Sequence, residues 1–190
     1  MKRKIYNIIL ILLIISAIII GLLIFNKYYK EAKNEEQLSD FISELEKKDE
    51  EDKKEYKYNG YSVVGTIEIP KINIKYPILS ETTVQSMLVS VTKFWGPEIN
   101  EIGNFTIAGH NNFSGTMFGK TKYLQNGDII KLTDLKNNTI EYSIFDKYSI
   151  DPDDVSCVES VESGTREVTL ITCTNGHKER LIVKAREIKN

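Results

Sequence analysis

Two residue types in this chain could do nucleophilic chemistry at neutral pH, and both are scarce. There are two cysteines and two histidines in 190 residues. Cys173 is the last residue of an apolar run, "VTLITC", and Arg180 opens the next one, "RLIVKA". Side chains alternate along a strand. Val168, Leu170 and Thr172 therefore share one face of the first run, and Thr169, Ile171 and Cys173 share the other. In the second run Leu181, Val183 and Ala185 form an apolar set assigned to the core, which leaves Arg180, Ile182 and Lys184 on the opposite face. If the runs pair as a hairpin, thiol and guanidinium project from one outer surface. A cation near a thiol favours the nucleophilic thiolate and can stabilise an oxyanion.

A cysteine nucleophile also wants a base or an imidazolium partner. His110 ends the apolar stretch "FTIAGH", where a strand end faces a rim or groove. His177 lies within the polar loop between Thr174 and Glu179, where a histidine is more often simply solvated. His110 is the preferred partner. Bland readings exist for each residue: a buried small hydrophobe for Cys173, a surface charge for Arg180, a satisfied turn residue for His110. Spacing alone does not choose between these and catalysis. Cys157 sits in a loop with no adjacent basic residue and reads as structural. Pairing it with Cys173 in a disulfide would remove the only nucleophile.

The elements that must hold these residues are mostly short strands. "YSVVGTIEIP", "KINIKYPIL", "GNFTIAGH", "DIIKLTD", "NTIEYSIFDKYSI", "REVTLITC" and "RLIVKARE" read as extended, with Pro77 suggesting an edge or bulge. "TTVQSMLVSV" reads as a short helix capped by Thr82 or Thr83, "GTMFGKTKYL" as a second, and "DPDDVSCVES" as a loop or helical turn. Many short strands with scattered turns predict a closed or nearly closed all-β barrel over residues 58–190. Ahead of it, residues 1–7 form a short basic segment, and 8–25 are uncharged with Ser16 as the one hydroxyl. About 18–20 such residues span a bilayer as a helix. The run exceeds a signal peptide's apolar region and no A-x-A site follows, so the expectation is an uncleaved anchor. Lysines flank both ends, and the slight excess before the span favours an extracytoplasmic domain. Residues 26–57 are highly charged, yet Leu38, Phe41, Ile42 and Leu45 recur at helical spacing. They predict either a solvated stalk or a juxtamembrane helix. A formal net charge of −2 argues against a nucleic-acid binder.

Taken together, "GTIEIPKINIKYPIL", "GNFTIAGHNN", "GTMFGKTKYLQNGDIIKLTD", "VTLITC" and "ERLIVKA" resemble the sortase family of cysteine transpeptidases over roughly Tyr61 to Ile188. The order His, Cys, Arg on those strand contexts carries the resemblance; TLxTC alone is weak. It implies an eight-stranded sortase-type β-barrel with short helices behind one N-terminal transmembrane helix. It maps the catalytic roles to His110, Cys173 and Arg180, and substrate contacts to Ala108, Ile171, Thr172 and Ile182. It implies cleavage of an LPxTG-like C-terminal sorting motif through a thioacyl enzyme, resolved by a cell-wall precursor amine of lipid II type. Its partners are then surface proteins bearing that signal, at the cell membrane, with no cofactor. "VTLITC" looks class A-like, while the compact loop before Arg180 leaves class D or E possible. No acidic calcium cage and no lid anchor of the pilus-building enzymes is visible in the sequence. Other cell-wall cysteine enzymes fit poorly: the Ser-His-Gly-Cys motif is missing, and the papain-like order of Cys before His is reversed. The remaining alternatives are a pilin-polymerising sortase and a non-catalytic, membrane-tethered barrel that binds wall peptides.

Overall fold

The computed structural model describes residues 2–47, 56–160 and 162–189. The chain divides into two compact units, one ending at Glu36 and the other running from Gln37 to the C-terminus. Helix α1 (Lys2–Lys47) contributes to both. In the first unit every residue from Arg3 to Lys30 is exposed, although most are Ile and Leu. An isolated apolar surface of this size is not stable in water, and the helix is long and apolar enough to cross a membrane. Its single hydroxyl is satisfied internally, Ser16 Oγ donating to the Leu13 carbonyl at 2.8 Å.

The second unit begins with Gln37–Lys47, the last turns of α1. Leu38, Ile42 and Leu45 are buried, at positions i, i+4 and i+7 that share one helix face. Phe41 packs its ring 4.7 Å from Tyr58 and 5.2 Å from Tyr56. This stretch is thus a helix packed on the folded domain, not a solvated stalk. The charged run from Glu46 to Glu55 lies largely outside the described residues.

Strands β1 (Lys57–Tyr58), β2 (Tyr61–Ile69), β3 (Ile74–Leu79), β4 (Val91–Trp95), β5 (Gly103–Ala108), β6 (Ile129–Asp134), β7 (Thr139–Ile150), β8 (Arg166–Thr174) and β9 (Glu179–Glu187) form the rest. Their order is β1-β2-β3-β4-β5-β8-β9-β7-β6, and β6 pairs back onto β2. Eight strands close a barrel, with β1 an appended hairpin arm on β2. Closure removes the exposed edges that an open sheet would carry. Two joints are parallel, β3 with β4 and β5 with β8. Pro77 is paired on one side only, to Thr66 of β2, and β2 is bulged beside it between Val63 and Gly65. The proline is tolerated because pairing to β4 starts only at Ile78, beyond the missing N–H. Helix α2 (Val84–Met87) is capped by Thr83, whose hydroxyl accepts from the Ser86 N–H at 3.0 Å in a reciprocal capping box. The second expected helix reduces to one turn at Thr121–Tyr123, because Gly115, with φ near 86°, and Gly119 interrupt it.

The core is filled by inward residues of every barrel strand, among them Ile67, Ile78, Phe105, Ile107, Val168 and Leu170. One expectation about the faces needs correction. The surface carrying Thr169, Ile182 and Lys184 is buried, not solvent-facing. The β7–β8 connection lies across it. Asn104 donates its amide to the carbonyls of Cys157 (3.0 Å) and Val158 (2.9 Å), and Lys184 Nζ donates to the Glu159 carbonyl at 2.8 Å. Strands covered on both faces cannot show an in/out alternation in burial.

Leu38→Ala in the full chain should lower domain stability by about 2–5 kcal/mol, the usual cost of emptying a packed leucine site. Denaturant unfolding in detergent, followed by near-UV circular dichroism of the barrel aromatics, checks this. An unchanged midpoint would separate the helix from the folded unit.

Candidate active site

The β8–β9 hairpin pairs Cys173 directly with Arg180, and Ile171 with Ile182. The four residues between the strands make a left-handed turn, in which Asn175, Gly176 and His177 have φ of 47°, 62° and 71°. Glycine adopts this region freely and asparagine tolerates it, whereas His177 is held there at some cost. The turn is tight enough for Arg180 to reach it. Its Nη1 donates at 3.3 Å to the carbonyls of His177 and Glu179. Among the described residues no carboxylate pairs with this guanidinium, so its charge remains available to a ligand.

His110 reaches the same level from the other side of β8. In the parallel β5–β8 ladder Ala108 pairs with Ile171. The pairing continues past the end of β5: the Gly109 N–H donates to the Ile171 carbonyl at 3.1 Å. The Thr172 hydroxyl donates to the Gly109 carbonyl at 2.7 Å, and the Asn111 amide to the Cys173 carbonyl at 2.7 Å. Two residues beyond Ala108 and Ile171 stand His110 and Cys173. Arg180, Cys173 and His110 therefore occupy one level on three adjacent strand paths, each about 4.8 Å from the next. Gly109 is required here, because a Cβ would meet the buried Phe118 ring at 2.7 Å. Phe118 in turn donates its N–H to the His110 carbonyl at 2.9 Å.

His110 is half-buried, and its Nε2 has no hydrogen-bond partner among the described residues. Burial first, and then the charge of nearby His177, holds its pKa below the ordinary histidine value. The two histidines that sequence position separates are thus electrostatic neighbours. Cys173 is partly exposed and Cys157 is buried, and both are free thiols. Burial pushes the Cys157 thiol up, away from the thiolate.

A groove of about 290 Å³ runs up to the hairpin. Ala108, Ile171, Thr172, Cys173 and Arg180 line it, with Ile150 at the end of β7 next to Arg180, and Pro152, Asp154, Val155 and Cys157 of the β7–β8 connection add a further wall. Met87 and Phe94 add apolar surface. Of the residues expected to contact substrate, Ala108 and Ile171 are in the lining. Thr172 reaches it too, but is 4% exposed and spends its hydroxyl on Gly109. Ile182 does not line the groove. It is fully buried on the face that the β7–β8 connection covers. Asn111 and the β7–β8 wall escaped the sequence reading. The amide next to His110 in "GHNN" was a usable cue for the first; a loop that folds back from remote positions offers none.

A sortase-domain family model matches residues 67–188. Among curated proteins the chain is similar to sortase A of Listeria monocytogenes, 31% identical over 117 residues, which is 61% of this chain and 51% of that protein. It is also 30% identical over 112 residues to sortase D of Bacillus subtilis, covering 57% and 53% of the two. The chain thus spans about half the length of the curated relatives it matches. Among solved structures, a Clostridium perfringens sortase D5 transpeptidase superposes with a TM-score of 0.68 at 31% identity, over 83% of this chain and 99% of that one. The Listeria monocytogenes sortase A structure gives 0.61 at 28% identity, over 67% and 88%. A barrel of this strand order, with histidine, cysteine and arginine abreast on neighbouring strands and a family match across 122 residues, leaves one conclusion: the chain belongs to the sortase family.

Proposed function

We propose that this chain is a membrane-anchored cysteine transpeptidase. It cleaves an LPxTG-like sorting motif and joins the released protein to a cell-wall amine. The observation that carries the proposal is the row of Arg180, Cys173 and His110, of which Cys173 and Arg180 line a mainly apolar groove. Ala108, Ile171 and the β7–β8 wall suit the apolar part of an extended peptide. Neutral His110 takes the thiol proton as the Cys173 sulfur attacks the threonine carbonyl carbon, and the carbonyl π electrons move to oxygen. The unpaired Arg180 guanidinium is suited to stabilise that oxyanion. Collapse breaks the C–N bond, and His110 gives the leaving nitrogen its proton. The thioester is then attacked by the acceptor amine, whose surplus proton returns to His110 as sulfur leaves. A base for this second half-reaction must be neutral, and the lowered His110 pKa keeps it so near pH 7.

The apolar N-terminal helix serves as the anchor in this reading, with the barrel on the extracytoplasmic side, where surface proteins and wall precursors meet it. The overlap with a sortase D5 over 99% of that chain supports class D among the classes the motifs left open.

The direct test uses the full chain in detergent with a library of labelled sorting-motif peptides and triglycine. Mass spectrometry should find an acyl adduct on Cys173 and, with triglycine, a transpeptidation product. Full cleavage by Cys173→Ala would overturn the mechanism, and no adduct with any peptide would favour a binding module. Arg180→Ala should lower the acylation rate by about 10²–10³-fold, the usual cost of one oxyanion donor. Asn111→Ala should slow acylation by roughly tenfold or more through misplacement of the histidine segment, with the unfolding midpoint little changed. The amine-limited rate should rise with pH through a half-point below the ordinary histidine value. Replacing His177 with Gln removes a neighbouring positive charge, so that half-point should move up. A pH–rate profile in which the half-point moved down would contradict this assignment.

A further inference from the structure

Cys173 lies between two cavities. One is the apolar groove already described. The other, of about 460 Å³, opens on the far side of the thiol, between the loop after His110 and the β8–β9 turn. Among the described residues, Cys173 alone lines both. Their chemistries differ. The second is walled by the amides of Asn111 and Asn112, the ring of Tyr123, and the cationic or protonatable side chains of Lys122 and His177. Among the described residues, no Asp or Glu lines it. Lys122 is exposed, with Nζ 5.1 Å from the Tyr123 ring centre, and no carboxylate pairs with it among the described residues. The wall is also held in place. Lys147 Nζ donates to the main-chain carbonyls of Lys122 and Leu124, which pins the turn to β7. Asn111 is tied to the Cys173 carbonyl.

An acyl group that arrives through the apolar groove leaves this second cavity as the space from which an amine can reach the thioester carbonyl. A site meant for the amine alone would gain from a carboxylate that attracts ammonium. This one offers only positive or neutral groups. A bare ammonium is therefore disfavoured, and an acceptor that brings its own negative charge is compensated by Lys122. We propose that the second cavity is the acceptor subsite, and that it selects amines carrying a nearby carboxylate, as in an amino-acid or short peptide acceptor with a free carboxyl group. This rests on the transpeptidase reading above. In the transfer the acceptor nitrogen forms the C–N bond, the C–S bond breaks with its electron pair on sulfur, and the amine's proton passes to His110. The carboxylate takes no part in bond making; it holds the acceptor in place.

The test compares diglycine and triglycine with their C-terminal amides, as acceptors for the thioacyl enzyme of the full chain in detergent. The free acids should be used about two- to fivefold faster at subsaturating concentration, as expected for one solvent-screened ion pair. That ratio should shrink at high salt and fall to about one in Lys122→Gln, with Lys122→Arg restoring it. Equal use of acid and amide by the wild type, with the Cys173 adduct present, overturns this inference and leaves the transpeptidase reading standing. A preference that survives Lys122→Gln overturns the assignment to Lys122. Absence of the adduct itself overturns both readings.

Discussion

The arrangement depends on one joint, the parallel pairing of β5 with β8 and its continuation beyond Ala108. Parallel strands need a long crossover, and here the crossover contains β6 and β7, so nothing local holds His110 beside Cys173. Three hydrogen bonds do so instead: Gly109 N–H to Ile171, the Thr172 hydroxyl to Gly109, and the Asn111 amide to Cys173. A glycine is the only residue that lets this segment close on Phe118. The antiparallel hairpin then adds Arg180 on the other side at no topological cost. A thiol with an imidazole on one flank and a guanidinium on the other follows from register alone.

Burial sets the chemistry at that joint. His110 is desolvated and meets a second histidine, so it holds a proton weakly. Cys157, in the groove wall, is buried enough to stay a neutral thiol, whereas Cys173 stands at the junction of both cavities. The distinction between the two cysteines is therefore one of solvent access and neighbours rather than of residue type. The β7–β8 connection does double work: it seals the outer face of β8 and β9 and supplies the apolar wall of the groove. Its attachment is polar, through Asn104 and Lys184, both buried and both satisfied by main-chain carbonyls.

The sequence by itself determined the strand-rich barrel, the apolar N-terminal helix, and the pairing of Cys173 with Arg180, because each depends on local periodicity or a short loop. Strand-end position also favoured His110. What only the tertiary structure decided is what non-local contacts impose. Alternation put Ile182 beside Arg180 correctly, yet it could not reveal that a remote loop buries that face. Leu38 and Ile42 had a helical period whether they faced water or the barrel; only the tertiary burial of that face chose. The proximity of His177 to His110 required a left-handed turn folded back towards a strand end 67 residues earlier. Periodicity records which way a side chain points on its own element, and it carries no record of what will be packed against it.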